Sequence, residues 1–173
     1  MMQANTTPTA DRSPELRLAE IFRPDCIEIV RGGTGKRSVL SLLVRRLKKH
    51  DHIDRQHAEG IINDLISTEQ HGTSALGKGL AFPVLRTPDV HRFAGAIGVA
   101  PDGINFGAAD GTSTKLVFLT LAPWEAREEL TDVMSRLVAV MTDKAIGLQL
   151  HQRIRSEHVY QHLIARDGLP GEP

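Results

Sequence analysis

The sequence has little cysteine, few aromatic residues and no excess of either charge. Cys26 is the single cysteine among 173 residues, which excludes an internal disulfide and a metal site built from several cysteines. Aromatic residues make up only 4%, so the core must consist of Leu, Ile, Val and Ala. Lys and Arg number 21, as do Asp and Glu, and this balance argues against a nucleic-acid-binding protein.

Long hydrophobic runs are missing as well. No apolar run approaches the roughly 20 residues of a membrane-spanning helix, and residues 1–13 lack the apolar segment of a signal peptide. We therefore expect a cytoplasmic protein without membrane insertion. The length predicts one domain over residues 14–167, preceded by a disordered tail at 1–13 and followed by a C-terminal tail at 168–173.

The spacing of apolar residues predicts helices near both ends of the domain and strands in its middle. Apolar residues recur every three or four positions at 16–22, 36–50, 55–68, from Pro123 to Met141, at 147–154, and from Ser156 to a closing Gly168. Short apolar runs predict strands at 26–30, 80–84, 93–99 and 116–121. This order indicates an α/β fold, a single-domain sandwich with a central mixed β-sheet flanked by helices.

Two segments resemble motifs of known sites but lack residues that those motifs require. The glycine-rich run at 32–38 fails the phosphate-loop pattern, because Val30 stands at its first glycine and Arg37 follows Lys36. His158 and His162 have the spacing of a zinc-binding helix, but the acid that should follow the first histidine is absent.

No catalytic or metal-binding arrangement is evident among the remaining candidates. The chain has no Gly-x-Ser-x-Gly nucleophile turn and no convincing Ser/His/Asp arrangement. Cys26 is expected to be a small buried hydrophobe. The histidines are expected at the surface, namely His50, His52, His57, His158 and His162. The sequence thus predicts no metal and no cofactor.

Residues 73–83, TSALGKGLAFP, resemble the signature S-T-x-I-G-x-G-I-A-I-P-H of a family of phosphotransferase proteins. This family is the enzyme IIA domain of the mannitol/fructose class of the phosphoenolpyruvate-dependent sugar phosphotransferase system, including its nitrogen-regulatory form. Residues 110–123, DGTSTKLVFLTLAP, are similar to the family's next strand, turn and helix entry. The resemblance covers about residues 16–166.

The chain departs from this pattern at the phosphoryl acceptor. In the family, the residue after the motif proline is the histidine that accepts a phosphoryl group from the phosphocarrier protein HPr, and here it is Val84. An ungapped reading from Pro123 places Leu130 where many members have a second histidine. Aliphatic side chains cannot accept a phosphoryl group. The resemblance therefore implies a non-phosphorylatable regulatory protein, a pseudoenzyme without catalytic residues.

The resemblance also implies a binding surface for a protein partner, which would be an HPr-like phosphocarrier, a sensor kinase or a transporter component. Its expected residues are Thr73, Ser74, Gly77, Gly79, Val84, Leu85 and Arg86. Two alternatives remain open. The chain is an active phosphocarrier that uses a displaced histidine, His71 or His91, or it senses a small anion in the vacated pocket through Arg86 and the Thr73–Ser74 hydroxyls.

Overall fold

The computed structural model describes residues 16–152 and 154–167. Both predicted tails and Gly168 lie outside these residues. The described helices are α1 Leu18–Ile21, α2 Lys36–Lys49, α3 Ala58–His71, α4 Arg127–Met141, α5 Lys144–His151 and α6 Ser156–Arg166. The described strands are β1 Phe22–Ile29, β2 Ala75–Gly77, β3 Leu80–Ala81, β4 Val84–Thr87, β5 Ala94–Ile104 and β6 Thr114–Pro123.

All described strands join one mixed sheet, as predicted. Its order is β1-β5-β6-β3-β2, and β4 also pairs with β6. The β1–β5, β3–β6 and β4–β6 pairs are parallel, whereas β2–β3 and β5–β6 are antiparallel. Strands β5 and β6 lie in the middle of this order, and their long runs of buried residues reflect helices on both faces.

Two apolar clusters hold helices against the two faces of the sheet. The α2/α3 cluster contains the stripe predicted for α2, with Leu40, Leu43 and Leu47 fully buried. The α4 cluster lies on the opposite face and joins α1, α4, α5 and α6 to the sheet through residues such as Phe118 and Leu137. None of the described helices is long and apolar enough to cross a membrane.

The structure corrects two boundaries near prolines. The predicted strand at 80–84 is divided into β3 and β4, because Pro83 lies between them and has no N–H to donate to a ladder. The longest helix begins at Arg127 rather than at Pro123. Pro123 ends β6, where it pairs with Thr87, and the chain turns before the helix starts.

Two helix starts and one strand also differ from the predictions. Helix α5 begins at Lys144, earlier than predicted, because the side chain of Asp143 caps it by accepting a hydrogen bond from the Ile146 N–H at 2.9 Å. Ser156, the predicted N-cap of α6, is its first helical residue. The strand β2 was not predicted, since its three residues show no periodicity.

Candidate functional site

The strand β4 carries three of the predicted binding residues. It pairs in parallel with β6, so that Val84 stands opposite Thr120 and Arg86 opposite Ala122. Successive side chains of a strand point to opposite faces of the sheet. Leu85 packs against the α2/α3 cluster, which puts Val84 and Arg86 on the face covered by α4. The three predicted neighbours in sequence are therefore divided between the two faces.

Val84 and Leu130 are half-buried aliphatic residues on this α4 side of the sheet. Leu130 lies near the start of α4, three positions before Val133, and so continues the stripe by which that helix packs on the sheet. Within the described part of the chain, neither residue packs into either of the two apolar clusters. Both therefore leave apolar surface that the core does not cover.

Arg86 and Trp124 add an aromatic and a cationic group next to Val84. Arg86 donates a hydrogen bond from Nη1 to the carbonyl oxygen of Trp124 at 2.8 Å, and its Cζ lies 4.9 Å from the centre of the indole ring. Trp124 is 58% exposed. Tryptophan and arginine dominate the binding energy of many protein interfaces. We call Val84, Arg86, Trp124 and Leu130 the Val84 surface.

Thr73 and Ser74 are engaged with α2 and α3. The Thr73 hydroxyl donates to the carbonyl oxygen of Phe106 at 3.0 Å and accepts from Lys36 Nζ at 3.3 Å. The N–H of Ser74 donates to both carboxylate oxygens of Glu69 at 3.2 Å. Lys36 Nζ also lies 2.9 Å from Glu69 Oε2. The Glu69 carboxylate thus already accepts hydrogen bonds from the Ser74 N–H and Lys36 Nζ, the donors that a bound anion would require.

Gly77 and Gly79 form the tight turn between β2 and β3. Their φ angles are +87° and +85°, in the region that favours glycine. The carboxylate of Asp110 accepts a hydrogen bond from the N–H of Lys78 at 2.9 Å, and this bond, with those from Thr112, holds the pKa of Asp110 below its ordinary value. Asp110 therefore fastens the turn to the loop before β6.

A cavity of about 750 Å³ lies between this turn, α4 and α5. Gly77 and Gly79 are among the described residues that line it, together with Leu80 and Leu150, whereas Val84 is not. The cavity and the Val84 surface are thus two separate places. The chemistry that the family resemblance assigns to this chain concerns the second, so we treat the Val84 surface as the candidate site.

The two alternative acceptor histidines are both exposed. His71 is the last residue of α3, and its Nδ1 donates a hydrogen bond to the carbonyl oxygen of Ser67 at 2.7 Å. In a neutral imidazole, a proton on Nδ1 leaves the lone pair on Nε2. His91 lies in the loop between β4 and β5, seven residues after Val84.

Three histidines expected at the surface are largely buried instead. The side chains of His50, His52 and His162 are only 27%, 14% and 9% exposed. Their neighbours explain this, because His162 Nε2 lies 3.0 Å from Asp143 Oδ2, while Asp25 lies beside the other two.

Cys26 is buried as a free thiol, as predicted. Its burial, and secondly the charge of Asp25, raise the pKa of Cys26 to about 12. In the protein alone this thiol is therefore protonated at neutral pH and is a poor nucleophile.

Comparison with known proteins identifies the family to which this geometry corresponds. The family described as "Phosphoenolpyruvate-dependent sugar phosphotransferase system, EIIA 2" matches residues 20–166. The chain belongs to this family. The resemblance of TSALGKGLAFP to the enzyme IIA signature is thereby confirmed, and this enzyme IIA chain is of the mannitol and nitrogen-regulatory class.

Individual relatives agree with this assignment. The nitrogen regulatory protein of Pseudomonas aeruginosa is 29% identical over 157 residues, which are 86% of this chain and 96% of that protein. The crystal structure of nitrogen regulatory protein IIA-Ntr from Neisseria meningitidis has a TM-score of 0.71 and 25% identity, over 84% of this chain and 97% of that one.

A third relative shows the same fold at lower identity. In the complex of mannitol enzyme IIA with phosphorylated enzyme IIB from Escherichia coli, the TM-score is 0.66 at 18% identity, over 84% of this chain and 99% of that one. The predicted α/β sandwich with a mixed sheet is confirmed by these likenesses.

Sequence reasoning missed Trp124 and Glu69 as neighbours of the predicted binding residues. A signal for Trp124 exists, since it is the only tryptophan of the chain and directly follows Pro123 at the predicted helix entry. Glu69 carries no comparable signal. Its contact with Ser74 depends on how the chain turns after α3.

Proposed function

We propose that this enzyme IIA chain is a regulatory protein-binding module that does not accept a phosphoryl group. The family resemblance assigns the acceptor position to Val84 and the second histidine position to Leu130. Neither side chain has a lone pair that could attack a phosphorus atom. The domain keeps the fold of its family but lacks the imidazoles of the phosphoryl relay, and we expect it to act in the cytoplasm.

The observation that carries this proposal is the chemistry of the Val84 surface. Val84 and Leu130 leave aliphatic area uncovered, and the exposed indole of Trp124 is held by the guanidinium of Arg86, which follows Val84 by two residues on β4. A phosphorylated histidine would carry nearly two negative charges and would change the preferred partner. Aliphatic residues at these positions give a surface whose charge stays the same, which favours a constitutive partner.

The expected partner is a protein, and an HPr-like phosphocarrier is the first candidate. In the solved Escherichia coli complex, a mannitol enzyme IIA of this fold binds phosphorylated enzyme IIB, so the fold supports docking of small phosphotransferase proteins. A sensor kinase or a transporter component remains an alternative partner that the same surface would suit.

A second candidate function is phosphoryl transfer through His71 or His91. The exposure of both side chains favours it, because a phosphorylated donor could reach them. In that reaction a histidine nitrogen attacks the phosphorus of phosphorylated HPr, the new P–N bond forms as the P–N bond of HPr breaks, and HPr leaves unphosphorylated. An anion sensor at Thr73 and Ser74 has less support, since Glu69 already accepts from Ser74.

Phosphorylation and binding are tested separately. The full chain is incubated with phosphoenolpyruvate, enzyme I and HPr, and its intact mass is measured without acid treatment. We expect no added phosphoryl group. A gain in mass that disappears in His71→Ala or His91→Ala would support the second candidate instead.

Binding is measured by titrating HPr into the isotope-labelled chain and following its amide resonances. We expect Trp124→Ala to weaken binding at least about tenfold, as loss of an interface tryptophan commonly does. Leu148→Ala is the matched control, because Leu148 is 67% exposed on α5 and outside the Val84 surface. Equal affinities of both variants and the wild type would contradict docking of HPr at this surface.

A further inference from the structure

Asp25, Cys26 and His52 bring three metal-ligating groups together beside the α2/α3 cluster. Asp25 and Cys26 are adjacent on β1, and His52 lies in the loop that joins α2 to α3. One carboxylate oxygen, the thiol sulfur and one ring nitrogen all lie within 4.8 Å of one another. None of the three residues belongs to the Val84 surface.

The distances in this cluster suit a tetrahedral metal ion. Asp25 Oδ1 and His52 Nε2 are 3.8 Å apart. Zinc bonds of about 2.0–2.3 Å place two ligand atoms of a tetrahedral site about 3.3–3.8 Å from each other. An oxygen and a nitrogen ligand should lie about 3.3–3.5 Å apart in such a site. Asp25 Oδ1 and His52 Nε2 would therefore have to approach each other by a few tenths of an ångström, and the Cys26 sulfur lies within 4.8 Å of both.

Unpaired polar atoms are a second observation at this cluster. Asp25 Oδ1, His50 Nε2 and His52 Nε2 are buried and have no hydrogen-bond partner among the residues that the structure describes. Buried polar atoms are nearly always paired with protein, water or an ion. A cation between Asp25 and His52 would satisfy one unpaired atom of each residue at once.

The backbone fixes how the histidines face Asp25. Helix α2 ends in a Schellman turn, in which the His52 N–H donates to the carbonyl oxygen of Leu47 at 3.0 Å and Asp51 has a φ of 55°. This turn places His50 Nδ1 3.6 Å from Asp25 Oδ2, the other oxygen of the carboxylate. His50 therefore faces one oxygen of the Asp25 carboxylate and His52 faces the other.

We propose that Asp25, Cys26 and His52 form a zinc-binding site. A thiolate, an imidazole and a carboxylate are the ligands that zinc prefers, whereas magnesium and calcium take oxygen ligands almost alone. On binding, the Cys26 thiol gives its proton to solvent and its sulfur forms the bond to zinc, so that no oxidant or reductant is needed. Three protein ligands leave the fourth position for water.

Of the arginines near this site, Arg23 gives the most informative control variant. Arg23 Nε lies 3.9 Å from Asp25 Oδ1, the same oxygen that would bind the metal, and the Arg23 side chain is 57% exposed. Arg46 donates to the backbone carbonyl of Asp25 at 2.8 Å and pairs with Glu28 at 3.2 Å, so it is held away from the carboxylate. Arg23 is therefore the cation that competes with a metal ion.

The test is a cobalt(II) titration of the full chain, without an affinity tag and stripped of metal by a chelator. We expect one cobalt per chain, with the thiolate-to-cobalt absorption band and the visible bands of a tetrahedral site. Cys26→Ser should abolish the thiolate band, and Asp25→Asn and His52→Ala should each weaken binding at least tenfold. His158→Ala, which removes an exposed histidine on α6, should change nothing.

Arg23→Gln keeps the test independent of folding, because it alters only an exposed side chain. It should raise the affinity for cobalt, and zinc should displace cobalt from both this variant and the wild type. The proposal is overturned by a wild type that binds no cobalt, by a thiolate band that persists in Cys26→Ser, by binding that is lost in His158→Ala, or by an unchanged or lower affinity of Arg23→Gln.

Discussion

Val84 stands opposite Thr120 in the parallel pairing of β4 with β6, and the hydroxyl of Thr120 is completely buried. Within the described chain, the Thr120 oxygen Oγ1 has no hydrogen-bond partner. Since buried hydroxyls are normally paired, this arrangement is unfavourable in itself. The aliphatic side chain of Val84 offers Thr120 no donor or acceptor across the ladder.

Thr120→Val should leave the free energy of unfolding unchanged or raise it by up to about 1 kcal/mol, because it removes an unpaired hydroxyl. Thr87→Val is the matched control on the neighbouring strand. Thr87 is also buried, but its oxygen accepts a hydrogen bond from the Asp89 N–H at 3.2 Å, so this variant should lose about 1 kcal/mol. Urea unfolding checks both, and a larger loss for Thr120→Val would contradict the prediction.

Gly77→Ala should destabilise the protein by about 1–3 kcal/mol. Gly77 has a φ of +87°, and a Cβ atom there would lie 2.5 Å from Asp110 Oδ2. Gly60→Ala is the control, because Gly60 lies in α3 with nothing within 4 Å of an added Cβ. That variant should gain about 0.5–1 kcal/mol of helix stability. Thermal unfolding distinguishes the two, and equal midpoints would argue against a strained turn.

Glu69→Gln should cost about 1–3 kcal/mol of unfolding free energy, because it leaves a partly buried Lys36 ammonium without its counter-ion. The Lys36 and Glu69 side chains are 25% and 6% exposed. The exposed pair of Arg45 and Glu59, 3.8 Å apart, is the comparison. Glu59→Gln should change stability by less than about 0.5 kcal/mol. Similar losses in both variants would show that the Lys36–Glu69 contact is no stronger than a surface pair.

The stability contributed by Asp110 should depend on pH. Hydrogen bonds from the Lys78 N–H and from Thr112 lower the pKa of Asp110 in the folded state, so its stabilisation is present above about pH 4 and is lost as the pH falls through the lowered pKa. The difference in unfolding free energy between wild type and Asp110→Asn should therefore be largest near neutral pH and shrink in acid.

The matched variant for this effect is Thr112→Val, which removes the hydroxyl that donates to Asp110 at 2.7 Å. With one donor fewer, the pKa of Asp110 should be lowered less, so the total loss of stability in acid should be smaller than in the wild type and complete at a higher pH. Chemical unfolding at a series of pH values measures this, and a difference between wild type and Asp110→Asn that stays constant across the series would contradict it.

Local patterns in the sequence were sufficient for the helices that pack by a regular stripe. Helix α2 was predicted at 36–50 and is found at Lys36–Lys49, because its apolar residues repeat with the helical period. The prediction that Pro123 opens a helix is wrong, because Pro123 pairs with Thr87 at the end of β6. This pairing depends on a segment far away in the sequence. A pattern confined to one segment cannot report such a contact.

The same distinction applies to the candidate site, where some residues follow from the sequence and some contacts follow only from the fold. Val84, Leu130 and Arg86 were found from the family signature and its spacing, which are properties of the sequence. The contact of Arg86 with Trp124 and the meeting of Asp25 with His52 depend on the three-dimensional fold. The histidines of the α2–α3 loop were expected in solvent, because nothing in their own segment indicates that β1 lies against them.

The most direct test of the account is phosphoryl transfer from labelled phosphoenolpyruvate through enzyme I and HPr, measured in parallel on the wild type and on Val84→His. An enzyme IIA known to accept label from the same HPr serves as positive control. The account predicts no acid-labile label on the wild type and a detectable label on Val84→His, whose imidazole can attack phosphorus. Acid-labile label on the wild type at the level of the positive control would contradict it.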